Sequence, residues 1–336
     1  MKISLTIEEN IDKNNIAGFK INGFGKVKIE WGDGVITDEI ITNEDEKTFI
    51  HEYDTRDSQQ INIYGKILSF DCTLLESVTK LIIEPNSILT HLNCSFNKIT
   101  ELILEDITSL KELKCNNNYL TELNLSKTSK LKILRCSENK LNSLNLKDNS
   151  ELEELWCFNN EIEMLDLQSC NKLKLINCKN NKLVNLSLDN LIQLNELTFS
   201  LNPIKLIDLS SNVNLKKIVC FGTKLTILEL KNNLKLKYLD CSVSPIKFLN
   251  IGSNEFLTYI DCQNTLLENL DLSNNKYLTA IYIQNNKFSE NSINNLFSSL
   301  NSIDPNVIFI GKNPGTKTCN KKIAENKGWY IETSYY

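Results

Sequence analysis

LKELKCNNNYLTELNLSKTSK, residues 110–130, alternates apolar and polar positions along two successive runs. The pattern LxxLxCxxNxLxxLxLxxxxx recurs with starts at Leu89, Leu110, Leu131, Leu152, Leu173, Leu194, Leu215, Leu236, Leu257 and Leu278, each 21 residues after the last. Alternate residues of a strand fall on opposite faces, so Leu113 and Cys115 point inward while Glu112, Lys114 and Asn116 point out. Leu120, Leu123 and Leu125 repeat that spacing on a return path. Each copy therefore reads as one coil of a solenoid with two inward-facing sides, its 21-residue period nesting halves of 10 and 11 residues. A coil cannot bury its apolar side chains alone and draws stability from stacking on its neighbours. At roughly 1.5–3 kcal/mol per fully buried side chain, before chain entropy, one coil is marginal and a stack is not.

An imperfect earlier copy starts at Ile67, with Phe70, Cys72, Val78, Leu81 and Ile83 and one extra residue, so the array runs from Ile67 to Phe288. A length of 336 residues, read at about 150 residues per domain, would suggest two globular units. The repeat overrides that prior, because length here measures coil number.

Two columns follow from the register. Cys94, Cys115, Cys136, Cys157 and Cys178 are followed by Phe199 in the same slot, then by Cys220, Cys241, Cys262 and Ile283. A slot that accepts Phe and Ile is buried and apolar, and buried Cys behaves as a small hydrophobe. Neighbouring Cys would sit one strand spacing apart, about 4.8 Å, with parallel Cβ vectors rather than the roughly 3.8 Å separation of a disulfide. A column of free thiols is expected, and the odd total of 11 Cys already excludes complete pairing. There is no CxxC, the closest pair is Cys170 and Cys178, and His51 and His91 are the only histidines, so neither a metal site nor a cofactor is expected. Asn97, Asn118, Asn139, Asn160, Asn181 and Asn202 form the second column. An inward amide can donate to and accept from the turns above and below it. The column changes to Thr223, Ser244 and Thr265 before Asn286 restores it, with Pro203 and Pro245 just after column positions, which predicts reshaped or looser turns from about Leu215 to Leu272.

The pattern LxxLxCxxNxLxxLxL resembles the bacterial 21-residue leucine-rich repeats of the nested-period type, in particular the cysteine-ladder internalins. The resemblance implies a mostly β repeat solenoid of the α/β type, curved, whose parallel sheet presents a protein- or glycan-recognition face, typically in bacterial surface adhesins.

The ends differ in kind. Residues 1–66 hold 6 of the 11 Gly and no repeat. Ile3–Ile7, Val27–Trp31 and Ile61–Tyr64 read as strands, Gly23-Phe24-Gly25 as a strand-flanked turn and Gly32-Asp33-Gly34 as a tight turn. Trp31-Gly32-Asp33-Gly34 with His51-Glu52-Tyr53 resembles the WGDG...HxY signature of PKD-like β-sandwich modules, which implies a small antiparallel module capping the first coil. Asp33 could ligate calcium, but a turn-forming Asp is the plainer reading. After Ser289, Ile293, Leu296, Phe297 and Leu300 fall at helical spacing. Val307–Ile310 reads as a strand and residues 311–315 as a turn. The tail GKNPGTKTCNKKIAENKGWYIE, residues 311–332, resembles the NPG...C...IA..KGW ending of bacterial surface leucine-rich-repeat proteins, with Trp329 as its apolar plug. The expected division is a cap at 1–66, about ten to eleven coils at 67–288 and a C-terminal cap at 289–336.

The net charge of −5 belongs to residues 1–66, which carry 13 acidic and 8 basic side chains, while the rest carries 29 of each. A balanced surface argues against nucleic acid, which demands a basic stripe, and no run approaches the roughly 20 apolar residues of a membrane span. The first 30 residues lack a basic start followed by an apolar stretch, so the chain as it stands is expected in the cytoplasm. The resemblance implies secretion or the cell surface if a leader has been removed. No phosphate loop occurs and neither His sits near a nucleophile in a recognised motif, so no enzyme is expected. The outward strand positions carry Arg135, Trp156 and Phe158 centrally and Phe221, Tyr238, Tyr259 and Tyr282 across the later coils. Aromatics and Arg are what interface hot spots favour, although strand faces also tolerate aromatics for cross-strand packing. The return side, with Glu101, Glu122, Asp166, Asp208, Glu229 and Asp271, reads as solvated. The expected function is a monomeric, noncatalytic recognition scaffold for a protein. The alternatives are a surface adhesin for a glycan or host protein and an intracellular, immunity-like inhibitor.

Overall fold

The computed structural model describes residues 1–8, 16–55, 57–73, 75–85, 88–302 and 306–334. It comprises two compact units, Met1–Cys170 and Asn171–Tyr336.

The first unit opens with antiparallel strands: β1 (Lys2–Ile7), β2 (Ile16–Glu30), β3 (Ile36–Ile41), β4 (Lys47–Glu52) and β5 (Gln59–Asp71). Strand β2 pairs with β4 through its first half, with β3 through its second, and with β5 along its length. Gly23-Phe24-Gly25, expected as a turn, lies inside β2 instead. The register against β5 shifts there and Gly25 takes φ +83, so the residues form a bulge that bends one long strand. At Gly23 an added Cβ would meet the Lys66 carbonyl at 2.2 Å, which excludes any larger residue.

Strand β5 passes without a break from the antiparallel part into the solenoid. Its first half pairs with β1, and its last residues, Ser69–Asp71, pair in parallel with β7 (His91–Asn93). On the return side β6 (Val78–Ile83) pairs antiparallel with β1 and parallel with β8 (Glu101–Leu104). Residues from the front of the chain thus cover both sides of the first coil. Phe19, packed on Trp31, Phe49 and Phe70 at 5.2, 6.1 and 5.6 Å between ring centroids, joins that cover to the first repeat.

The coils follow the 21-residue register. Strands His91–Asn93, Glu112–Lys114, Ile133–Arg135 and Glu154–Trp156 are parallel and aligned residue for residue. In the second unit the same holds for Leu175–Asn177, Glu196–Thr198, Lys217–Val219, Tyr238–Asp240, Tyr259–Asp261 and Ala280–Tyr282. Every Cys is a free thiol and all but Cys319 are buried, with burial holding the ladder thiols above their ordinary pKa.

Two kinds of corner pin each coil. At the first, the Asn139 amide donates to the carbonyls of Cys115 and Cys136 at 3.0 and 3.1 Å and its Oδ1 accepts from the Leu120 N–H at 3.0 Å. The residue before each rung is left-handed: Asn117, Glu138, Leu201 and Val243 have φ between 55° and 56°. In the changed coils Thr223 Oγ1 donates to Cys220 O at 3.1 Å and Ser244 Oγ accepts from the Thr223 N–H at 3.1 Å. A hydroxyl has one proton where an amide has two, so these corners are pinned by fewer bonds.

The second corner carries a column that the sequence reading did not find: Thr128, Asn149 and Cys170 in the first unit, and Leu191, Asn212, Asn233, Asn254 and Asn275 in the second, all buried. Asn233 donates to Leu209 O and Asn212 O, both at 3.0 Å, leaving its Oδ1 buried without a partner. Cys170, unexplained by the thiol ladder, is a rung of this column, its Sγ facing the carbonyls of Leu146 and Asn149.

The array ends as expected in a short amphipathic helix, α1 (Glu290–Ser299), capped by the Ser289 side chain, which accepts from the Ser292 N–H. Strands Asn306–Phe309 and Trp329–Glu332 then extend the parallel sheet. Asn313 is a final rung, donating to Ile283 O and Ile310 O at 2.8 and 3.0 Å. Gly315 touches the α1 backbone so closely that an added Cβ would lie 2.3 Å from Glu290 N. Trp329 is buried, its indole N–H bonded to Asn301 O at 2.8 Å. Among the described residues no helix is long and apolar enough to cross a membrane.

Candidate functional site

In the first unit, Arg135 and Trp156 end aligned neighbouring strands, with the Arg135 Cζ 5.6 Å from the Trp156 ring centroid. Phe158 meets Trp156 edge-on at 6.4 Å. All three are half-buried on the outer face. The Arg135 Nε and the Trp156 indole Nε1 are buried without hydrogen-bond partners. Leaving such donors unpaired costs about 1–3 kcal/mol each, which core packing does not require.

The second unit carries the longer aromatic feature. Tyr238 and Tyr259 stack with centroids 4.3 Å apart and planes 1° apart. Tyr259 meets Tyr282 at 5.4 Å and 42°, and Tyr282 stacks on Phe309 at 4.5 Å and 7°. Phe309 escapes a search by period, since the chain takes 27 residues from Tyr282 to reach the same row. Phe221 does not join this column. Its ring lies under Lys179 Nζ at 5.2 Å, and among the described residues it makes no ring contact with the tyrosines. Lys217 lies 5.5 Å over Tyr238, at the upstream end of the stack.

Beside the stack stand two carboxylates that a search for aromatics and Arg passes over. Asp240 and Asp261 are aligned on adjacent strands. Asp240 accepts from Ser242 N and Oγ at 3.1 and 2.7 Å, and Asp261 from Gln263 N and Nε2, both at 3.0 Å. Burial, reinforced by the neighbouring Asp240, pushes Asp261 up to about 6, and burial raises Asp240 as well. Burial also raises the hydroxyls of Tyr238 and Tyr259.

The return side keeps Glu101, Glu122, Asp166, Asp208, Glu229 and Asp271 exposed, in keeping with a solvated face. It is less uniformly polar than the sequence suggests, for Leu206, Ile227 and Phe248, on successive coils of the second unit, are 71%, 51% and 56% exposed.

In the antiparallel part, Asp33 Oδ1 accepts from the Val35 N–H at 3.0 Å and its Oδ2 lies 2.6 Å from His51 Nε2. Burial would raise this carboxyl, but His51 and the Val35 N–H outweigh it and leave the pKa lowered. His51 stacks on Trp31 at 4.8 Å, and the Tyr53 hydroxyl donates to Trp31 O at 2.8 Å. These contacts fit an Asp that builds a turn. Among the described residues no group of three His, Cys, Asp or Glu side chains could hold a metal ion.

Parallel strands at 21-residue intervals, an inward Leu and Cys column and Asn-pinned corners define a leucine-rich-repeat solenoid of internalin-like form with a cysteine ladder. No family model and no curated protein matches the sequence. Among solved structures, the functional domain of InlJ from Listeria monocytogenes, which includes a cysteine ladder, is 26% identical with a TM-score of 0.51, over 74% of this chain and 68% of that one. The internalin InlF from the same organism shares 18% identity with a TM-score of 0.57, over 77% of this chain and 87% of its own. A leucine-rich-repeat protein of Leptospira interrogans shares 19% identity with a TM-score of 0.57, over 73% and 72%.

Proposed function

We propose that the chain is a noncatalytic protein-recognition scaffold whose strand side is the contact face. The observation that carries this reading is the row Tyr238, Tyr259, Tyr282 and Phe309, half-buried and stacked outside the Leu and Cys core. Aromatic side chains offer large contact area at low entropy cost and dominate interface energetics. Arg135, Trp156 and Phe158 form a second contact area, and Phe221 a separate aromatic site beside Lys179. Leucine-rich-repeat solenoids use such extended surfaces for binding. Within this reading, residues 1–66 are a PKD-like cap, 67–288 the coils and 289–336 the closing cap.

The test is capture of a protein partner by the full chain and by Trp156→Ala and Tyr259→Ala. Loss of capture with melting temperatures within about a degree or two of wild type supports the contact face, since surface substitutions cost little stability. Equal loss of folding and capture would overturn it.

A further inference from the structure

The aromatic row of the second unit is chemically lopsided. Asp240 and Asp261 lie next to each other in the sheet, with Tyr238 and Tyr259 two residues before them on the same outward face. Adjacent strands are about 4.8 Å apart, so two like charges are held close. Both carboxylates take their hydrogen bonds from neutral donors two residues on, and among the described residues neither has a cationic side chain within ion-pair distance. The fold does not call for Asp there. The aligned position on the other coils of this unit is Asn177, Thr198, Val219 and Tyr282. Glu332, aligned with Phe309, adds a third carboxylate at the far end, and Lys217 marks the upstream edge.

We propose that this face takes a protein segment presenting lysine or arginine side chains, whose head groups lie over the Tyr238, Tyr259 and Tyr282 rings and against Asp240 and Asp261. The ring faces are electron-rich and attract cations, and the carboxylates supply the charge-assisted hydrogen bonds that a guanidinium or ammonium needs once it leaves water. A cation there would also relieve the repulsion between two partly desolvated carboxylates, which accords with their raised pKa values. The inference rests on the strand side being the contact face and adds the chemistry of what it contacts.

The experiment is selection of displayed random peptides on the immobilised full chain, followed by affinity measurement of the enriched peptides on purified variants that melt with wild type. Enrichment of Lys and Arg, with binding at least tenfold weaker on Asp240→Asn/Asp261→Asn and on Tyr259→Ala and weakened by added salt, is the expected result. Peptides that depend on Tyr259 but carry no basic enrichment would overturn the cationic inference and leave the contact face standing. Peptides indifferent to Tyr259→Ala would overturn both. Glycan binding lost in Tyr259→Ala, together with no basic peptide, would assign the row to carbohydrate and overturn the inference.

Discussion

The rings of Tyr238 and Tyr259 lie parallel on adjacent strands, 4.3 Å between centroids. Aromatic pairs contribute about 0.5–1.5 kcal/mol beyond the area they bury. A double-mutant cycle of Tyr238→Ala and Tyr259→Ala, read by urea unfolding, is expected to give a coupling energy in that range. A coupling near zero would mean that the stack adds nothing to the fold.

Asp261 makes a prediction about pH. Its folded pKa of about 6 lies above the ordinary 3.8, so the folded state binds this proton more tightly than the unfolded chain does. The group therefore costs nothing below about pH 4, lowers stability as pH rises from about 4 to 6, and costs at most about 3 kcal/mol above that. Asp261→Asn is expected to melt higher than wild type at pH 7.5, with the difference shrinking toward pH 4. A pH-independent difference in calorimetry would contradict the raised pKa. A residue that lowers stability at neutral pH while facing outward is what selection for binding rather than folding leaves behind.

The Asn rungs and their replacements should separate in stability. Asn139→Ala strips an acceptor from the Leu120 N–H and a donor from two buried carbonyls, a loss of about 3 kcal/mol. Hydrogen exchange should be faster at the corners of Thr223, Ser244 and Thr265 than at those of Asn118, Asn139 and Asn160. Equal protection would show that a single hydroxyl pins the corner as well as an amide.

These corners also mark the limit of what the sequence discloses. The Leu and Cys column and the first Asn column are legible because one residue type repeats. The left-handed position before each rung is not, because Asn117, Glu138, Leu201 and Val243 share no chemistry, only a backbone angle. The second corner column hides for the same reason, mixing Thr128, Asn149, Cys170 and Leu191 in a slot set by burial. At the site, Arg135, Trp156 and the tyrosines are visible from the period. Phe309 is not, because a helix intervenes and breaks it, and the Gly23 bulge resembles a turn because Gly serves both.

Val243 is the least comfortable of the left-handed residues, being β-branched with φ 55°. Asn occupies that position in several other coils, and Val243 is exposed enough to lose little burial. Relief of a conformation costing about 1–2 kcal/mol predicts that Val243→Asn raises the urea midpoint by the equivalent of about 1 kcal/mol. An unchanged or lower midpoint would show the strain to be absent.

The claim that the strand side is the contact face meets its most direct test in a comparison of the two faces. Affinity for a peptide selected on the wild-type chain would be measured for Tyr259→Ala on the strand side and Phe248→Ser on the return side, with melting curves for each. The account predicts at least a tenfold loss for Tyr259→Ala and none for Phe248→Ser, both folded. Loss confined to Phe248→Ser would place recognition on the exposed apolar residues of the return side and contradict it.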